Sequence, residues 1–131
     1  MAGFSDYLEN KVLTHVFGGT AYTAPSTLYV GLYTAAPSDS GGGTEVSGGS
    51  YARKSTANMT VSGTSPTQAT NGAAVEFVTA TGSWGTVTHV GVFDALTSGN
   101  LLGWAALTAS KTVSSGDVFR FDAGDLDITL A

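Results

Sequence analysis

The sequence contains no cysteine and has few charged residues. Without cysteine the chain can form neither a disulfide nor a thiolate metal site, so its stability must come from a packed core or from association with other chains. Charged residues make up 11% of the 131 residues, which is less than half of the roughly 25% found in ordinary soluble domains. A neutral surface rich in Ser, Thr and Gly repels other copies weakly, and this favours a role within an assembly over that of a solitary enzyme.

Basic residues are fewer than acidic ones. The chain has five Lys and Arg and ten Asp and Glu, which gives a net charge of −5. The five are scattered along the chain, whereas binding to phosphates needs clustered cations, so we expect no nucleic acid partner. No apolar run approaches the roughly 20 residues of a membrane span. Asp6 and Glu9 stand where a signal peptide would carry basic residues. We therefore expect no membrane partner and a soluble protein made in the cytoplasm.

The segment 5–17 has the features of an α-helix. Ser5 or Asp6 can act as N-cap, acidic residues occupy the first turn, and a pair of glycines follows the last turn. Apolar residues recur every fourth position, but Leu13 and Phe17 project toward the other side, so the apolar arc is wider than one face needs. Either the helix is wedged into its own domain, or it is a docking element partly buried against a neighbouring subunit.

The segment 27–131 is predicted to be β-structure, since short apolar and β-branched runs alternate with turn residues at roughly ten-residue spacing. This pattern predicts an all-β fold, an antiparallel β-sandwich or barrel of about seven strands of jelly-roll or Ig-like type, with one N-terminal α-helix in a single domain over 1–131. Segments 84–94 and 100–108 should form a hairpin at the centre of the sheet, and 118–122 with 125–131 a closing hairpin. The stretch 65–72 is rich in turn residues. The predicted strands are 27–34, 51–61, 73–79, 84–94, 100–108, 118–122 and 125–131.

Residues 36–50 form the longest predicted loop and contain two glycine runs, 41–43 and 48–49. Glycine makes such a backbone costly to order, and a loop of this length in a domain is usually functional or mobile. We expect this Gly-rich loop to contact a neighbouring subunit or to lack order in isolation.

Residues that could carry chemistry are few and are not arranged as a site. His15 and His89 are general-base candidates by pKa, but no sequence signature links either to a nucleophile. The segment 48–52 departs from the nucleophile elbow by having Ala52 in place of its last glycine. The C-terminal acidic residues match no calcium loop, and they are typical of a solvated strand edge. We therefore expect no enzymatic activity, no cofactor and no metal. The best candidates for oxygen ligands of a calcium ion are Asp117, Asp122, Asp125 and Asp127.

The aromatic residues leave two interpretations open. Packing in the core and at its rim is favoured over a carbohydrate-binding platform. The residues concerned are Trp84, Trp104, Tyr29, Tyr33 and Tyr51.

Four stretches of the sequence resemble small phage structural proteins that are often labelled tail fibre proteins. In the first half these are TLYVGLYTAAP at 27–37 and EVSGGSYAR at 45–53. In the second half they are ATGSWGTVTHVGVFD at 80–94 and GNLLGW at 99–104. The resemblance covers nearly the whole chain and implies a component of the bacteriophage virion.

The chain has no repeats, no coiled-coil heptads and no separate receptor-binding tip. A capsid decoration (cement) protein that stabilises the outer shell is therefore favoured, with a tail, neck or tail-fibre-associated adaptor in possible contact with host glycans as the alternative. The expected partners are the major capsid protein or other virion proteins and further copies of the chain, most simply as a trimer. The expected place is the outer surface of the virion.

We predict that the N-terminal helix and the Gly-rich loop carry the binding surface, with the sheet as their support. The predicted interface residues are Phe4, Tyr7, Leu8, Leu13, Phe17, Pro37, Gly42, Glu45, Tyr51 and Arg53.

Overall fold

The computed structural model describes residues 3–64 and 66–130, so the predicted turn residue Ser65 and the last residue of the final predicted strand, Ala131, lie outside the described residues. The described chain contains one helix, α1 (Asp6–Val16), and eleven strands. The strands are β1 (Gly3–Phe4), β2 (Leu28–Ala35), β3 (Thr44–Glu45), β4 (Lys54–Thr56), β5 (Thr60–Ser62), β6 (Thr67–Thr70), β7 (Val75–Glu76), β8 (Gly85–Phe93), β9 (Leu101–Val113), β10 (Arg120–Phe121) and β11 (Asp127–Leu130).

Helix α1 lies where the sequence predicts it and is held at its start. Ser5 is the N-cap, and its hydroxyl oxygen accepts a hydrogen bond from the backbone N–H of Leu8 at 3.2 Å. The same hydroxyl donates to the carbonyl of Leu101, and the backbone N–H of Ser5 donates to the carbonyl of Leu102 at 2.8 Å. Because Ser5 is only 2% exposed, this cap also fastens the helix to β9.

The main sheet has six antiparallel strands in the order β1, β9, β8, β2, β3, with β4 also paired to β2. The predicted central hairpin is confirmed, because β8 and β9 pair with each other at the middle of this sheet. Asp94 closes its loop, since the carboxylate accepts hydrogen bonds from the backbone and the side-chain amide of Asn100 at 2.7 and 2.9 Å. The hairpin is thus specified locally, by its own strands and loop.

The two smaller sheets correct the prediction for the end of the chain. The predicted closing hairpin of 118–122 with 125–131 is wrong: β10 pairs with β7, and β11 pairs with β6. Asn71 explains why. Its backbone and side chain form hydrogen bonds with residues 122, 124 and 126, so the intervening turn wraps around Asn71.

Two further segments also differ from the prediction. The predicted strand 51–61 is divided into β4, which pairs with β2, and β5, which pairs with β6 in the three-stranded sheet. The turn-rich stretch 65–72 contains β6. Strands of two to four residues are too short to show a period of two in the sequence, and this is why about seven strands were predicted where eleven are described.

The all-β class with one N-terminal helix is confirmed. The core lies between one face of the main sheet and the segments 75–84 and 113–126. Trp84, Phe77 and Phe119 form edge-to-face contacts at its centre, with ring centroids 5.9 to 6.4 Å apart. Such pairs stabilise beyond the burial of their area. The buried core residues include Val30, Leu32, Val46, Val75, Val87, Val90, Val92, Val113, Phe121 and Leu126.

The Gly-rich loop is more ordered than its composition predicts. It turns back on the strand before it, so that β3 pairs with β2 and Ser38 forms an isolated bridge with Gly41. Gly43 has a φ of 74°, and a Cβ there would lie 2.7 Å from the backbone nitrogen of Pro37. The close approach therefore requires glycine at this position.

Candidate functional site

Helix α1 presents an exposed apolar surface. No residue of the helix is fully buried, although Tyr7, Leu8 and Val12 are half-buried, so this chain covers the wide apolar arc only in part. Leu13, Val16 and the C-cap Phe17 are 58%, 61% and 81% exposed. Residues three and four apart lie side by side on a helix, so these three form one continuous surface, called here the helix-end patch.

Asp39 joins the helix to the Gly-rich loop. Its carbonyl oxygen accepts a hydrogen bond from the backbone N–H of Asp6 at 2.8 Å. Its carboxylate oxygen Oδ1 accepts one from the indole Nε1 of Trp104 at 3.0 Å. The two segments predicted to carry the binding surface are therefore adjacent in space and share one anchor on β9. The sequence analysis did not single out Asp39, because no local pattern marks a side chain that bonds across 65 positions.

Glu45, Tyr51 and Arg53 form a hydrogen-bonded cluster beside β2, called here the Arg53 cluster. The guanidinium of Arg53 donates from Nη2 and Nε to the two carboxylate oxygens of Glu45 at 2.8 and 2.9 Å. The hydroxyl of Tyr51 donates to Glu45 at 2.7 Å and accepts from the backbone N–H of Leu32 at 2.9 Å. Burial, more than any other cause, raises the pKa of Tyr51. These three predicted interface residues thus have their polar groups engaged within the chain.

Arg53 extends this cluster to the loop of the central hairpin. Its Nη1 donates to the carbonyls of Ala95 and Ser98 at 3.0 and 2.8 Å. Its guanidinium carbon lies 3.5 Å from the centre of the Phe93 ring. With these contacts, all three nitrogens of the guanidinium already donate to oxygens of the chain, and the ring contact adds cation–π attraction.

A groove of about 520 Å³ lies between the helix start, the Gly-rich loop and the hairpin loop. Its walls come from 5–7, 39–42 and 98–101, and Tyr33, Arg53 and Phe93 also line it. We call it the Tyr33 groove. Its volume is within the range of small-molecule sites, roughly 300 to 1,000 Å³. The groove therefore adjoins both elements that the sequence predicts to bind a partner.

Tyr33 gives the groove an unusual polar group. The side chain is 5% exposed, and its ring stacks on Phe93 with centroids 6.2 Å apart and planes 14° apart. The hydroxyl forms no hydrogen bond with any part of the chain that the structure describes. Among the described residues, no fully buried side-chain nitrogen or oxygen lacks a partner, so the hydroxyl must be accessible from the groove. Burial, with the Glu45 carboxylate nearby, raises the pKa of Tyr33 to about 12.

This pKa predicts a loss of stability at high pH. Tyr33 ionises at an ordinary pKa of 10.0 when unfolded and at about 12 when folded. Between these values the folded state holds the proton that the unfolded state has lost, so the free energy of unfolding falls as pH rises. We expect Tyr33→Phe to make this decline shallower, with Tyr51 still contributing, in urea unfolding measured across that window. Tyr29→Phe is the control and should leave the wild-type slope, because Tyr33 remains; an unchanged slope in Tyr33→Phe would contradict the assignment.

The remaining predicted interface residues occupy different surroundings. Phe4, Tyr7 and Leu8 are half-buried at the start of the helix, Pro37 is buried, and Gly42 is exposed on the loop. Gly42 and Tyr7 line the Tyr33 groove. Leu13 and Phe17 belong to the helix-end patch. Seven of the ten predicted residues therefore lie in the patch, the groove or the Arg53 cluster, whereas Phe4, Leu8 and Pro37 belong to none of them.

The candidate chemical residues have structural contacts. His15 accepts a hydrogen bond through Nδ1 from the backbone N–H of Tyr22 at 3.1 Å, and the His89 ring lies 6.0 Å from that of Trp104. The described residues contain no group of three or more His, Cys, Asp or Glu that could hold a metal ion. In that same part of the chain no helix has the length and apolarity to cross a membrane.

The C-terminal aspartates also bond within the chain. Asp117 accepts from the backbone N–H of Ser114 at 2.8 Å, and Asp127 from the hydroxyl of Thr70 at 2.6 Å. Asp122 pairs with Arg120 at 2.8 Å on an exposed surface. Their roles are those of turn and strand partners.

Comparison with known proteins agrees with a structural role. No curated protein matches the chain. Residues 3–129 match the model of the family described as podophage GP4 fiber I protein gp80. The match covers nearly the whole chain and includes the helix, the Gly-rich loop and the central hairpin. The chain therefore belongs to the podophage GP4 fiber I protein gp80 family and is a structural protein of the bacteriophage virion.

Proposed function

We propose that the protein is a building block of a podophage fibre and joins it through the helix-end patch, which packs against another virion subunit. The observation that carries the proposal is the exposure of Leu13, Val16 and Phe17 on a helix whose start is fixed to the sheet. An apolar surface held in one orientation needs little ordering on association, which favours binding. The family description supports the fibre rather than the capsid shell as the place of attachment.

The neighbouring subunit is proposed to be a further copy of the same chain or another fibre protein. The low charge of the sequence supports close packing of copies, since 11% of residues are charged. Cyclic arrangements are the commonest closed assemblies, and a trimer is one of them. The capsid decoration role, predicted from the absence of fibre repeats and coiled-coil heptads, would place the same protein on the capsid shell. The two roles therefore differ in where the protein lies on the particle.

Substitutions in the helix-end patch test the docking role. We expect the double variant Leu13→Asp and Phe17→Asp to enter virions at least ten-fold less than wild type. Two apolar anchors that each contribute on the order of 2 kcal/mol would weaken the interface by up to roughly a thousand-fold when both are lost. Quantitative immunoblotting of purified particles measures incorporation. The matched control is Val61→Asp, which changes a 69% exposed valine on β5.

The control separates docking from general effects of charge and folding. Both variants should keep wild-type unfolding midpoints, because none of the three residues is in the core. Normal incorporation of the double variant would contradict the proposal, and so would equal loss in the Val61→Asp control. Cryo-microscopy of wild-type particles decides the location, since density confined to the capsid shell would favour the decoration role instead.

A further inference from the structure

We propose that Asn71 is a latent deamidation site: when the turn 122–126 opens, the side chain can react, and its product prevents the turn from closing again. Asn71 is followed by Gly72. Asparagine is chemically labile, and a following glycine has no side chain to hinder attack by its backbone nitrogen and has the most freely rotating backbone of any residue. The sequence therefore supplies a reactive pair, and its rate of reaction depends on how the fold holds the amide.

The reaction needs only water as co-reactant. The backbone nitrogen of Gly72 forms a bond to Cγ of Asn71 and loses its proton, while the bond from Cγ to Nδ2 breaks and ammonia leaves. Water then opens the five-membered succinimide at either carbonyl, which gives aspartate or isoaspartate at position 71. Each product carries a carboxylate, so a negative charge replaces the uncharged amide.

The folded chain holds the Asn71 amide by three hydrogen bonds. Nδ2 donates to the carbonyls of Ala73 and Asp122 at 2.9 and 3.0 Å, and Oδ1 accepts from the backbone N–H of Leu126 at 2.9 Å. The residue is 1% exposed. Rotation of the amide toward the nitrogen of Gly72 would break these bonds in a site shielded from solvent. The reaction therefore has to wait until the turn opens.

The carboxylate product cannot restore these bonds. It has no N–H to donate, so one of its oxygens would lie against the carbonyl oxygens of Ala73 and Asp122 in a buried position, which is costly. A turn that has opened and reacted therefore stays open. Chemical change of an opened state makes the lifetime of the native chain depend on the rate of opening.

Strain in the turn tests the proposal. Gly124 donates its backbone N–H to the carbonyl of Asn71 at 2.9 Å and has a φ of 87°, so Gly124→Ala strains the turn at its contact with Asn71. We expect Asn71 in the folded variant to deamidate about ten-fold faster than in wild type. The purified full chain would be incubated at mildly alkaline pH, and mass spectrometry of the peptide that contains residue 71 would measure the conversion of amide to acid.

Gly116→Ala is the matched control. Gly116 has a φ of 92° and equally open space around a Cβ, but its backbone N–H donates to the carbonyl of Ala80, away from Asn71. This variant has similar strain at another turn, and Asn71 should deamidate in it at the wild-type rate. No acceleration in Gly124→Ala, or equal acceleration in both variants, would overturn the proposal, because equal acceleration would make global unfolding the route.

Unfolded chain provides the reference rate. In concentrated urea wild-type Asn71 should deamidate at least roughly a hundred-fold faster than in the folded chain, and Gly72→Ala should slow the reaction in urea several-fold. Alanine fits the fold at this position, because Gly72 has no left-handed φ and a Cβ would lie 3.6 Å from the Thr60 hydroxyl oxygen. Equal rates for folded and unfolded wild type would overturn the shielding of Asn71 by the turn.

Refolding tests whether the change is irreversible. Deamidated chain, separated by anion exchange and returned from urea, should unfold at a lower urea midpoint than wild type; a wild-type midpoint would overturn the claim that the turn stays open. This test and the comparison of folded with unfolded wild type remain decisive if Gly124→Ala does not fold. The reaction does not involve the helix-end patch, so it and the virion incorporation experiment can fail separately.

Discussion

Replacement of Arg53 by Met is expected to lower the free energy of unfolding by about 3 to 5 kcal/mol, the cost of breaking a buried ion pair by removing one partner. The Arg53 side chain is 9% exposed and that of Glu45 24%. Removing the guanidinium leaves the Glu45 carboxylate with the Tyr51 hydroxyl alone and frees the carbonyls of Ala95 and Ser98. Urea unfolding at neutral pH measures the loss.

Two further variants distinguish the ion pair from simple packing. Arg53→Lys keeps the charge but cannot donate to both carboxylate oxygens in the fixed geometry of a guanidinium, so we expect a smaller but clear loss. The double variant Arg53→Met and Glu45→Gln should recover part of the stability, because no uncompensated charge remains. If Arg53→Met lowered the free energy of unfolding by less than about 1 kcal/mol, the loss would be that of an exposed ion pair. The Arg53 cluster would then not hold the Gly-rich loop to the loop of the central hairpin.

Asn71→Asp is the second substitution with a large expected effect, about 3 kcal/mol or more at neutral pH. Asn71 is 1% exposed, and its amide nitrogen donates to the carbonyls of Ala73 and Asp122 at 2.9 and 3.0 Å. Its amide oxygen accepts from the backbone N–H of Leu126 at 2.9 Å. An isosteric carboxylate would place a negative oxygen against two carbonyl oxygens in a buried site.

The pH dependence of this variant provides a sharper check. Burial without a cation raises the folded-state pKa of the introduced carboxyl above its unfolded value of about 3.9. The penalty relative to wild type should therefore be full above the folded-state pKa and shrink as pH falls toward the unfolded value. Asn58→Asp, at an exposed position, is the control and should show neither the large loss nor its relief. A penalty independent of pH would argue against burial of the charge.

Local features of the sequence account for much of the fold. Ser5 and the acidic first turn specify the start of the helix, and the alternating residues of β2, β8 and β9 specify the three longest strands. In each case the signal and the structure lie within the same dozen residues. The two smaller sheets had no such signal, because β7 and β10 have two residues each and lie more than 40 positions apart.

The candidate sites show the same division. The exposed helix and the Gly-rich loop were predicted to lie at a binding surface, from an apolar arc too wide for one face and from two glycine runs. The Tyr33 groove was not predicted, although Tyr33 itself was noted among the aromatic residues. Whether its hydroxyl has a partner depends on residues from three separate segments.

The sequence by itself determined a cysteine-free, weakly charged all-β protein with one helix, since composition and short-range periodicity carry that information. Its strings of residues also determined the resemblance to phage structural proteins. Three features were decided by the tertiary structure alone. A turn that bonds to Asn71 stands in place of the predicted closing hairpin, Asp39 joins the helix to the Gly-rich loop, and the guanidinium of Arg53 forms its hydrogen bonds within the chain. These outcomes rest on hydrogen bonds between residues up to 65 positions apart, and a bond of that kind forms only when the folded chain brings both partners together.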